Sequence, residues 1–305
     1  MNNRVLFLVV VLVFVGTVKS IGQNTDKFVK DVTNLARMAS GGAPDKYLDD
    51  TRIATCASVR INAQNKSSGF KISGTIRNIV LKNTPFNGIQ DLVKKKKVLN
   101  GSVNSFGVIL HHGKNGCSNT KYAVKDLQKL CGIWKNTGNI IDFNMTNKEH
   151  YVFVARIDGA DIPNNYRFGY NGLKPETVTG FNQAMSLAHP GIRSLSINDK
   201  GNWAIIGDGA TIYNNDIIED FYFSADAKTM SLIYDAYKQY GKVETVSMTD
   251  TGIIICCERG IWLKDAPSPV YEALKTINFK PYIVKFHDSG HYIITDGKGK
   301  CVTSL

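Results

Sequence analysis

The sequence lacks the signatures of several common functional classes. It has no Cys-x-x-Cys pair and no cysteine–histidine spacing of the kind that binds structural zinc. It has no Gly-x-Ser-x-Gly motif, in which α/β-hydrolases hold a serine nucleophile. After the first 18 residues, no run is long and apolar enough for a transmembrane helix. These absences argue against a zinc module, a serine hydrolase of that class and an integral membrane protein.

The N-terminus has the pattern of a secretory signal. Arg4 precedes the apolar run VLFLVVVLVFVGTV, and the small residues Ser20 and Gly22 stand just before Gln23. A positive region, an apolar region and a small-residue cleavage site occur in this order in signal peptides. An anchoring helix is the alternative, but the run is shorter than the ~20 apolar residues that a membrane span needs. We expect residues 1–22 to be a signal peptide and the protein to be secreted or periplasmic.

The charge balance bears on the partner. The formal net charge is +11, and the loss of Arg4 and Lys19 with the signal lowers it by two. A basic exported protein attracts anionic glycans and envelope surfaces, whereas a solvated basic face is the alternative. We do not expect nucleic acid as a partner, and the sequence leaves the oligomeric state open.

The cysteine content permits disulfides. The six cysteines are Cys56, Cys117, Cys131, Cys256, Cys257 and Cys301. An even number in an oxidising compartment is typical of disulfide-bonded proteins, although several could simply be small buried side chains. We predict a bond between Cys117 and Cys131, because the loop between them is short. Cys256 and Cys257 are adjacent in a predicted strand, so their side chains point to opposite faces and do not bond each other.

The last third of the chain contains a repeated hairpin. The segments SINDKGNWAII, SMTDTGIIICC and KFHDSGHYIIT begin at Ser196, Ser247 and Lys285, and each has an aspartate two residues before a glycine. Weaker copies lie at residues 102–110 and 140–154. The repeat positions hold the aspartates Asp199, Asp250 and Asp288 and the glycines Gly201, Gly252 and Gly290.

An amphipathic segment precedes each copy. Apolar side chains recur at helical spacing in residues 122–134, 230–241 and 269–279. Residues 180–191 and 88–99 hold the equivalent place before two other hairpins, and 88–99 is the poorer match. A unit of roughly 40 to 50 residues cannot bury its own apolar face and must stack in an array. The prediction is therefore a mainly β fold with short helices, a β-propeller-like array of about five helix-plus-hairpin repeats. An open α/β solenoid is the alternative.

The repeats suggest how the chain divides. Residues 87–305 form the predicted repeat domain. Residues 23–86 are less regular, with a predicted helix at 25–39 and strands at 55–62 and 69–82. We expect this segment to form either a small cap or strands that close the array.

One copy of the hairpin resembles a known motif. Ser196, Asp199, Gly201 and Trp203 are similar to the Asp-box of sialidases and other propellers, although the order here is S-x-x-D-x-G-x-W rather than S-x-D-x-G-x-x-W. The resemblance implies a propeller in which the serine and aspartate stabilise the hairpin away from catalysis. An aspartate two residues before glycine can also accept hydrogen bonds from turn amides. We therefore interpret seven residues as structural: Ser196, Asp199, Gly201, Asp250, Gly252, Asp288 and Gly290.

Three polar clusters permit a chemical role, and each has a structural alternative. The first is the carboxylate pair Glu219–Asp220. The second is Cys117, which lies near His111 and His112. The third is an oxygen-rich run that contains Asp158, Asp161, Asn164 and Asn165. Solvated loops, a disulfide and strand ends explain them better, and the last lacks calcium-loop spacing. We predict no catalytic residue, metal or cofactor.

The loops favour a binding role, because rigid scaffolds present function on loops. Aromatic side chains that could stack on sugars lie in or near Asn- and Gly-rich segments: Tyr166, Phe168, Tyr170, Tyr213 and Trp262. We predict a secreted, non-catalytic protein that binds a glycan or a protein surface. The alternatives are a propeller-type carbohydrate hydrolase and a structural module of an envelope assembly.

Overall fold

The computed structural model describes most of the chain after residue 57. The described ranges are 58–81, 89–105, 107–113, 116–120, 138–157, 166–187, 191–213 and 216–305. They all belong to one compact unit, residues 46–305. The expected signal peptide and the predicted helices at 25–39 and 122–134 lie outside these ranges.

The described part is mainly β, as predicted, with four α-helices. The strands are β1 Val59–Gln64, β2 Lys71–Arg77, β3 Val98–Val103, β4 Val108–His112, β5 Gly116–Asn119, β6 Gly138–Met145, β7 Tyr151–Ile157, β8 Tyr166–Asn171, β9 Ile192–Ile197, β10 Trp203–Tyr213, β11 Asp216–Ser224, β12 Val243–Met248, β13 Ile253–Cys257, β14 Gly260–Pro267, β15 Ile283–Phe286, β16 Tyr292–Thr295 and β17 Cys301–Thr303. The helices are α1 Ile89–Lys95, α2 Val178–Leu187, α3 Ala227–Tyr240 and α4 Ser268–Thr276.

The strands form five separate sheets. Sheets 1, 2, 3 and 5 are three-stranded meanders, β3-β4-β5, β6-β7-β8, β9-β10-β11 and β15-β16-β17, and sheet 4 has the order β1-β2-β14-β13-β12. Each sheet has one edge strand that we call its inner strand: β3, β6, β9, β12 and β15. Each inner strand contacts the inner strand of the next sheet, and β15 contacts β3. The contacts between sheets therefore return to their starting point.

The helices fill the space between successive sheets. Helix α3 starts at its N-cap Asp226, whose side chain accepts a hydrogen bond from Thr229 N, and it ends at Gly241 with φ 77°. Its buried side chains Ile233 and Ala236 pack in one cluster with residues of sheets 3 and 4. Helix α2 packs in the same way between sheets 2 and 3, and α4 between sheets 4 and 5. The helices predicted at 230–241 and 269–279 are present, and helices also occupy the equivalent places at 88–99 and 180–191.

Strands β1 and β2 come from the segment before the predicted repeat domain. Strand β2 pairs in parallel with β14, and in this pairing Gly74 of β2 lies opposite Leu263 of β14. Strand β1 pairs with the other edge of β2. Residues 59–77 thus extend sheet 4 instead of standing apart from the repeats.

Of the helices in the part of the chain described above, none has the length and apolar character that crossing a membrane requires.

Candidate functional site

The inner strands carry buried polar side chains that face the next sheet. An inner strand is the edge of its own sheet, so its outward N–H groups have no partner in that sheet. A polar side chain on the preceding inner strand accepts from these groups. Three pairs repeat the pattern, Ser102 Oγ with Met145 N at 2.9 Å, Asn144 Oδ1 with Ile197 N at 3.0 Å and Ser196 Oγ with Met248 N at 2.9 Å. Ser196 therefore joins two sheets.

Each turn after an inner strand is closed by the residue before the predicted aspartate. Asn198 Oδ1 accepts from Lys200 N at 3.1 Å and from Asn202 N at 3.0 Å. Thr249 Oγ1 and His287 Nδ1 hold the equivalent place in the next two copies and accept from turn N–H groups. The expectation that the aspartate accepts from its own turn amides is therefore wrong, because this neighbouring side chain already does so.

The aspartates instead bind the turn of the preceding sheet. The acceptors at this position, with their donors, are Asn147 with Ser105 N at 2.7 Å, Asp199 with Lys148 N at 3.0 Å, Asp250 with Lys200 N at 3.0 Å and Asp288 with Thr249 Oγ1 at 2.7 Å. A side-chain carboxylate or amide oxygen recurs at this position because each repeat must accept a hydrogen bond from the turn of its neighbour.

His287 connects the last sheet to the first two. Its Nε2 lies 2.9 Å from Asn147 Oδ1 and 3.2 Å from Ser105 Oγ, and its Nδ1 accepts from Ser289 N. A neutral imidazole with its proton on Nε2 satisfies these contacts. We call the five turns that follow the inner strands the turn ring, since hydrogen bonds connect each to its neighbours.

The glycines of the turns have two different roles. Gly201 has φ +76°, and a Cβ atom there would lie 2.5 Å from the carbonyl oxygen of Gly172. Gly290 also has a positive φ, of +93°. Gly252 is not among the described residues with positive φ, but a Cβ there would lie 2.8 Å from the carbonyl oxygen of Asp265. The turn at Gly252 thus needs glycine for close backbone approach.

A small cavity lies at the centre of the turn ring. Asp199, Asp250 and Asp288 line it together with His287 and Asn147, and its volume is about 20 Å³. That volume holds about one water molecule. Burial raises the pKa of Asp250, and the charges of Asp199 and Asp288 act in the same direction. Within the described ranges, no three histidine, cysteine, aspartate or glutamate side chains are arranged to hold a metal ion.

A buried ion pair lies deeper between the sheets. Lys285 Nζ lies 3.1 Å from the carboxylate of Asp142, and each side chain is 1% exposed. Asp142 also accepts from Asn100 Nδ2 at 2.7 Å, Ser194 Oγ at 3.0 Å and Leu195 N at 2.7 Å. One carboxylate thus joins sheets 1, 2, 3 and 5, and its donors satisfy both oxygens.

A larger groove lies beside the turn ring, between the turns of sheets 3 and 4 and the start of helix α3. Its volume is about 280 Å³. The charged side chains that line it are Lys200, Lys228, Lys264, Asp226, Asp250 and Asp265, and its apolar side chains are Leu232, Met248 and Ile253. We call it the turn-face groove. Of the predicted sugar-binding aromatics whose side chains the structure describes, Phe168, Tyr170 and Trp262, none lines it.

The predicted aromatic residues lie in different places. Phe168 is 40% exposed. It and the half-buried Tyr170 lie on β8 and contact the ring of Phe181, with ring centroids 6.2 and 5.1 Å away. Trp262 lies on β14 and packs against the cluster around α3. Tyr166 and Tyr213 belong to β8 and β10, but their side chains are outside the description. The described aromatics therefore do not form one site.

The other candidates are only partly within the description. Cys117 is disulfide-bonded, but Cys131 is outside the described residues, so the proposed pairing stays a prediction. His112 Nε2 lies 2.8 Å from Ser118 Oγ, and His111 is a buried residue of β4. The Asp158–Asn165 run and the side chains of Glu219 and Asp220 also lie outside the described part. Cys256 and Cys257 are not bonded to each other and belong to different packing clusters, as predicted.

Two groups of residues escaped the sequence reasoning. Asn198, Thr249 and His287 each stand directly before the repeated aspartate, so their polar character was a visible signal for a turn acceptor. Asp142 and Lys285 pair over 143 positions of sequence. Lys285 replaces the serine of the other two strong copies, and this departure from the repeat was the only signal for it.

Comparison with known proteins adds no assignment. No protein-family model matches the chain, and no curated protein is significantly similar to it.

Among the acceptors that join neighbouring turns, we expect Asn147 to contribute most to stability. Asn147→Ala removes an acceptor from Ser105 N, Ser105 Oγ and His287 Nε2, which should lower the free energy of unfolding by about 2 kcal/mol. Asp199→Ala removes the acceptor of one exposed N–H group, that of Lys148, and should cost less than about 1 kcal/mol. Urea unfolding of both variants, with exposed Asn119→Ala as the matched control, measures the difference. Equal losses at Asn147 and Asp199 would contradict this account of the ring.

We expect stability to fall in mild acid because of His291. Burial, and then the neighbouring His287, lower the pKa of His291 to about 4 from its ordinary value of 6.5. The unfolded chain therefore takes up this proton at a higher pH than the folded protein. The His291 contribution is complete above pH 6.5 and is lost as the pH falls toward 4. The raised pKa of Asp250 opposes this trend, whereas the lowered pKa of the partly buried His150 adds to it.

The measurement is urea unfolding between pH 7 and pH 4 for the wild type and His291→Asn. Asparagine keeps a group that can bond Ser304, whose Oγ lies 3.1 Å from His291 Nδ1. The variant should lose less stability over this interval than the wild type. The same loss in both proteins would show that His291 does not carry the pH dependence.

Proposed function

We propose that the five sheets are the blades of a five-bladed β-propeller. The cyclic contacts of the inner strands support this arrangement, as do the side-chain hydrogen bonds that join each turn to the next. The contact between β15 and β3 is not expected of an open solenoid, in which the first and last repeats stay apart. The hairpins then correspond to Asp-box-like turns whose aspartate serves the neighbouring blade.

We also propose that the protein is exported through a signal peptide at residues 1–22 and acts in a secreted or periplasmic location. The N-terminal pattern and the basic composition support this.

Within that setting, we propose that the protein is a non-catalytic binding protein whose ligand is a glycan or a protein surface. The turn-face groove is the observation that carries this proposal. Its volume of about 280 Å³ is near the ~300 Å³ at the lower end of small-molecule sites. The side chains at the repeated positions form hydrogen bonds between sheets, whereas several side chains of the groove form no such bonds with a described residue.

The carboxylates of the groove favour binding over hydrolysis. A glycosidase needs one carboxyl group as acid and another as base or nucleophile. Here Asp226 caps helix α3, Asp250 accepts from Lys200 N, and Asp265 accepts from Thr75 Oγ1.

An envelope module would be favoured by a large apolar patch. The exposed large apolar residues in the described part are Val59, Val80 and Phe168, on β1, after β2 and on β8.

A glycan array tests the proposal. The chain without residues 1–22 is screened at low and near-physiological salt. Binding of one glycan class that persists at the higher salt supports the proposed function. Binding that disappears with salt indicates nonspecific attraction to the basic surface and speaks against a specific glycan site. No binding at either salt would overturn the glycan ligand and leave the protein-surface ligand, which a pull-down from the exported fraction then tests.

A further inference from the structure

The lysines of the turn-face groove differ in what they bind. Lys264 Nζ lies 3.3 Å from Asp265 Oδ2. The ammonium groups of Lys200 and Lys228 make no ion pair or hydrogen bond with any residue that the structure describes. Both side chains are exposed. The groove therefore offers two ammonium groups that form no ion pair with a described residue.

The aspartates of the groove form no ion pair with these two lysines, although the charge of Lys200 acts on Asp250. The carboxylate of Asp226 accepts from Thr229 N at 2.8 Å and from Thr229 Oγ1 at 2.9 Å. Asp265 accepts from Thr75 Oγ1 at 2.9 Å and pairs with Lys264. The contact of Asp250 is to the backbone N–H of Lys200 and not to its ammonium group. The acidic side chains are thus fixed by other partners.

The same groove contains an acceptor that lacks a donor. Asn202 lines the groove, and its Oδ1 atom is buried without a hydrogen-bond partner among the described residues. A buried acceptor of this kind costs about 1–3 kcal/mol if it stays unsatisfied. A hydroxyl or N–H group of a ligand would satisfy it. Leu232, Met248 and Ile253 add an apolar wall beside these polar groups.

We propose that the turn-face groove binds a sugar that carries a carboxylate, as in a uronic or sialic acid. Lys200 and Lys228 hold the carboxylate, a ring hydroxyl donates to Asn202 Oδ1, and the C–H face of the ring packs against the apolar wall. This inference rests on the proposed binding function and names its ligand. A sugar fits better than an acidic peptide for two reasons. The groove is small, with a volume of about 280 Å³, and a sugar carries hydroxyl donors for Asn202 Oδ1 next to its carboxylate.

The test is titration calorimetry of the protein without residues 1–22. The ligands are methyl glycosides of glucuronic acid, galacturonic acid and N-acetylneuraminic acid, each compared with its methyl ester, which keeps the ring and hydroxyls, removes the charge and adds one methyl group. We expect at least one acid to bind about tenfold more tightly than its ester. The Lys200→Gln/Lys228→Gln double variant should lose this preference. Lys298→Gln, which removes a charge at an exposed lysine outside the groove, should keep it.

The results separate the inference from the proposed function. If all three acids fail to bind, or bind no better than their esters, the inference is overturned. It is also overturned if the double variant keeps the preference of the wild type. In either case a salt-resistant neutral glycan found on the array would leave the proposed function standing. Absence of any array ligand together with absence of acid binding removes the inference and the glycan ligand, and leaves the protein-surface ligand to the pull-down.

Discussion

Asp142→Asn should lower the free energy of unfolding by about 3–5 kcal/mol, the cost of leaving one member of a buried ion pair alone. Lys285 is 1% exposed, and its other hydrogen bond goes to the carbonyl oxygen of Leu195 at 3.1 Å. Without the carboxylate its charge has no counter-ion. The amide also cannot accept on both sides from Asn100, Ser194 and Leu195, so contacts between sheets are lost together with the ion pair.

Urea unfolding measures this effect, and two further variants define its cause. Asp235→Asn makes the same chemical change at an exposed position of helix α3 and should change stability by less than about 0.5 kcal/mol. The Asp142→Asn/Lys285→Met double variant removes the isolated charge and should be more stable than Asp142→Asn alone. A loss below about 1 kcal/mol for the single variant would contradict a central role for this carboxylate.

Gly74→Ala should separate β2 from β14 and cost about 3 kcal/mol or more, from steric overlap and backbone strain together. Gly74 has φ +124°, and a Cβ atom there would lie 1.8 Å from the carbonyl oxygen of Leu263. That oxygen belongs to the paired strand, so it cannot move without disrupting the sheet. Because β1 is held to the sheet through β2, both strands should lose protection of their amide hydrogens.

Hydrogen exchange and urea unfolding together test this prediction. Gly113→Ala is the matched control, because Gly113 also has a positive φ, +59°, but no atom lies within 4 Å of a Cβ there. It should cost only about 1 kcal/mol from backbone strain. Similar losses for the two variants would mean that the contact with Leu263 is unimportant, and unchanged protection in β1 and β2 would mean that they stay attached.

These variants separate structure from binding within the same repeats. The polar residues of the inner strands and the turn ring stabilise the contacts between sheets, so their loss should reduce stability. Lys200 and Lys228 are exposed and have no ion pair within the described structure. Their loss should leave stability nearly unchanged and alter only the binding of an acidic ligand. This contrast is why the groove, and not the repeated aspartates, is the place to look for function.

Local sequence patterns were sufficient for the elements. The apolar spacing of residues 230–241 and 269–279 predicts α3 and α4 because one face of each helix must be buried. The repeated Asp-x-Gly segments predict the turns that join β9 to β10, β12 to β13 and β15 to β16. Both patterns depend on residues that are close together in the chain. The repeated turns, each between two apolar strands, predict the mainly β character.

The partners of the polar side chains were decided by the tertiary structure. An aspartate beside a turn can accept from its own turn or from a neighbouring one, and Asp199 and Asp250 do the latter because another side chain already closes their own turn. The place of β1 and β2 in sheet 4, the pairing of Asp142 with Lys285 and the groove beside Lys200 all depend on distant segments. Short-range periodicity along the chain is enough to define the repeated units and their elements. The contacts between units depend on how the sheets pack. Hydrogen bonds and ion pairs there join residues that are distant in sequence, so they leave no fixed spacing along the chain.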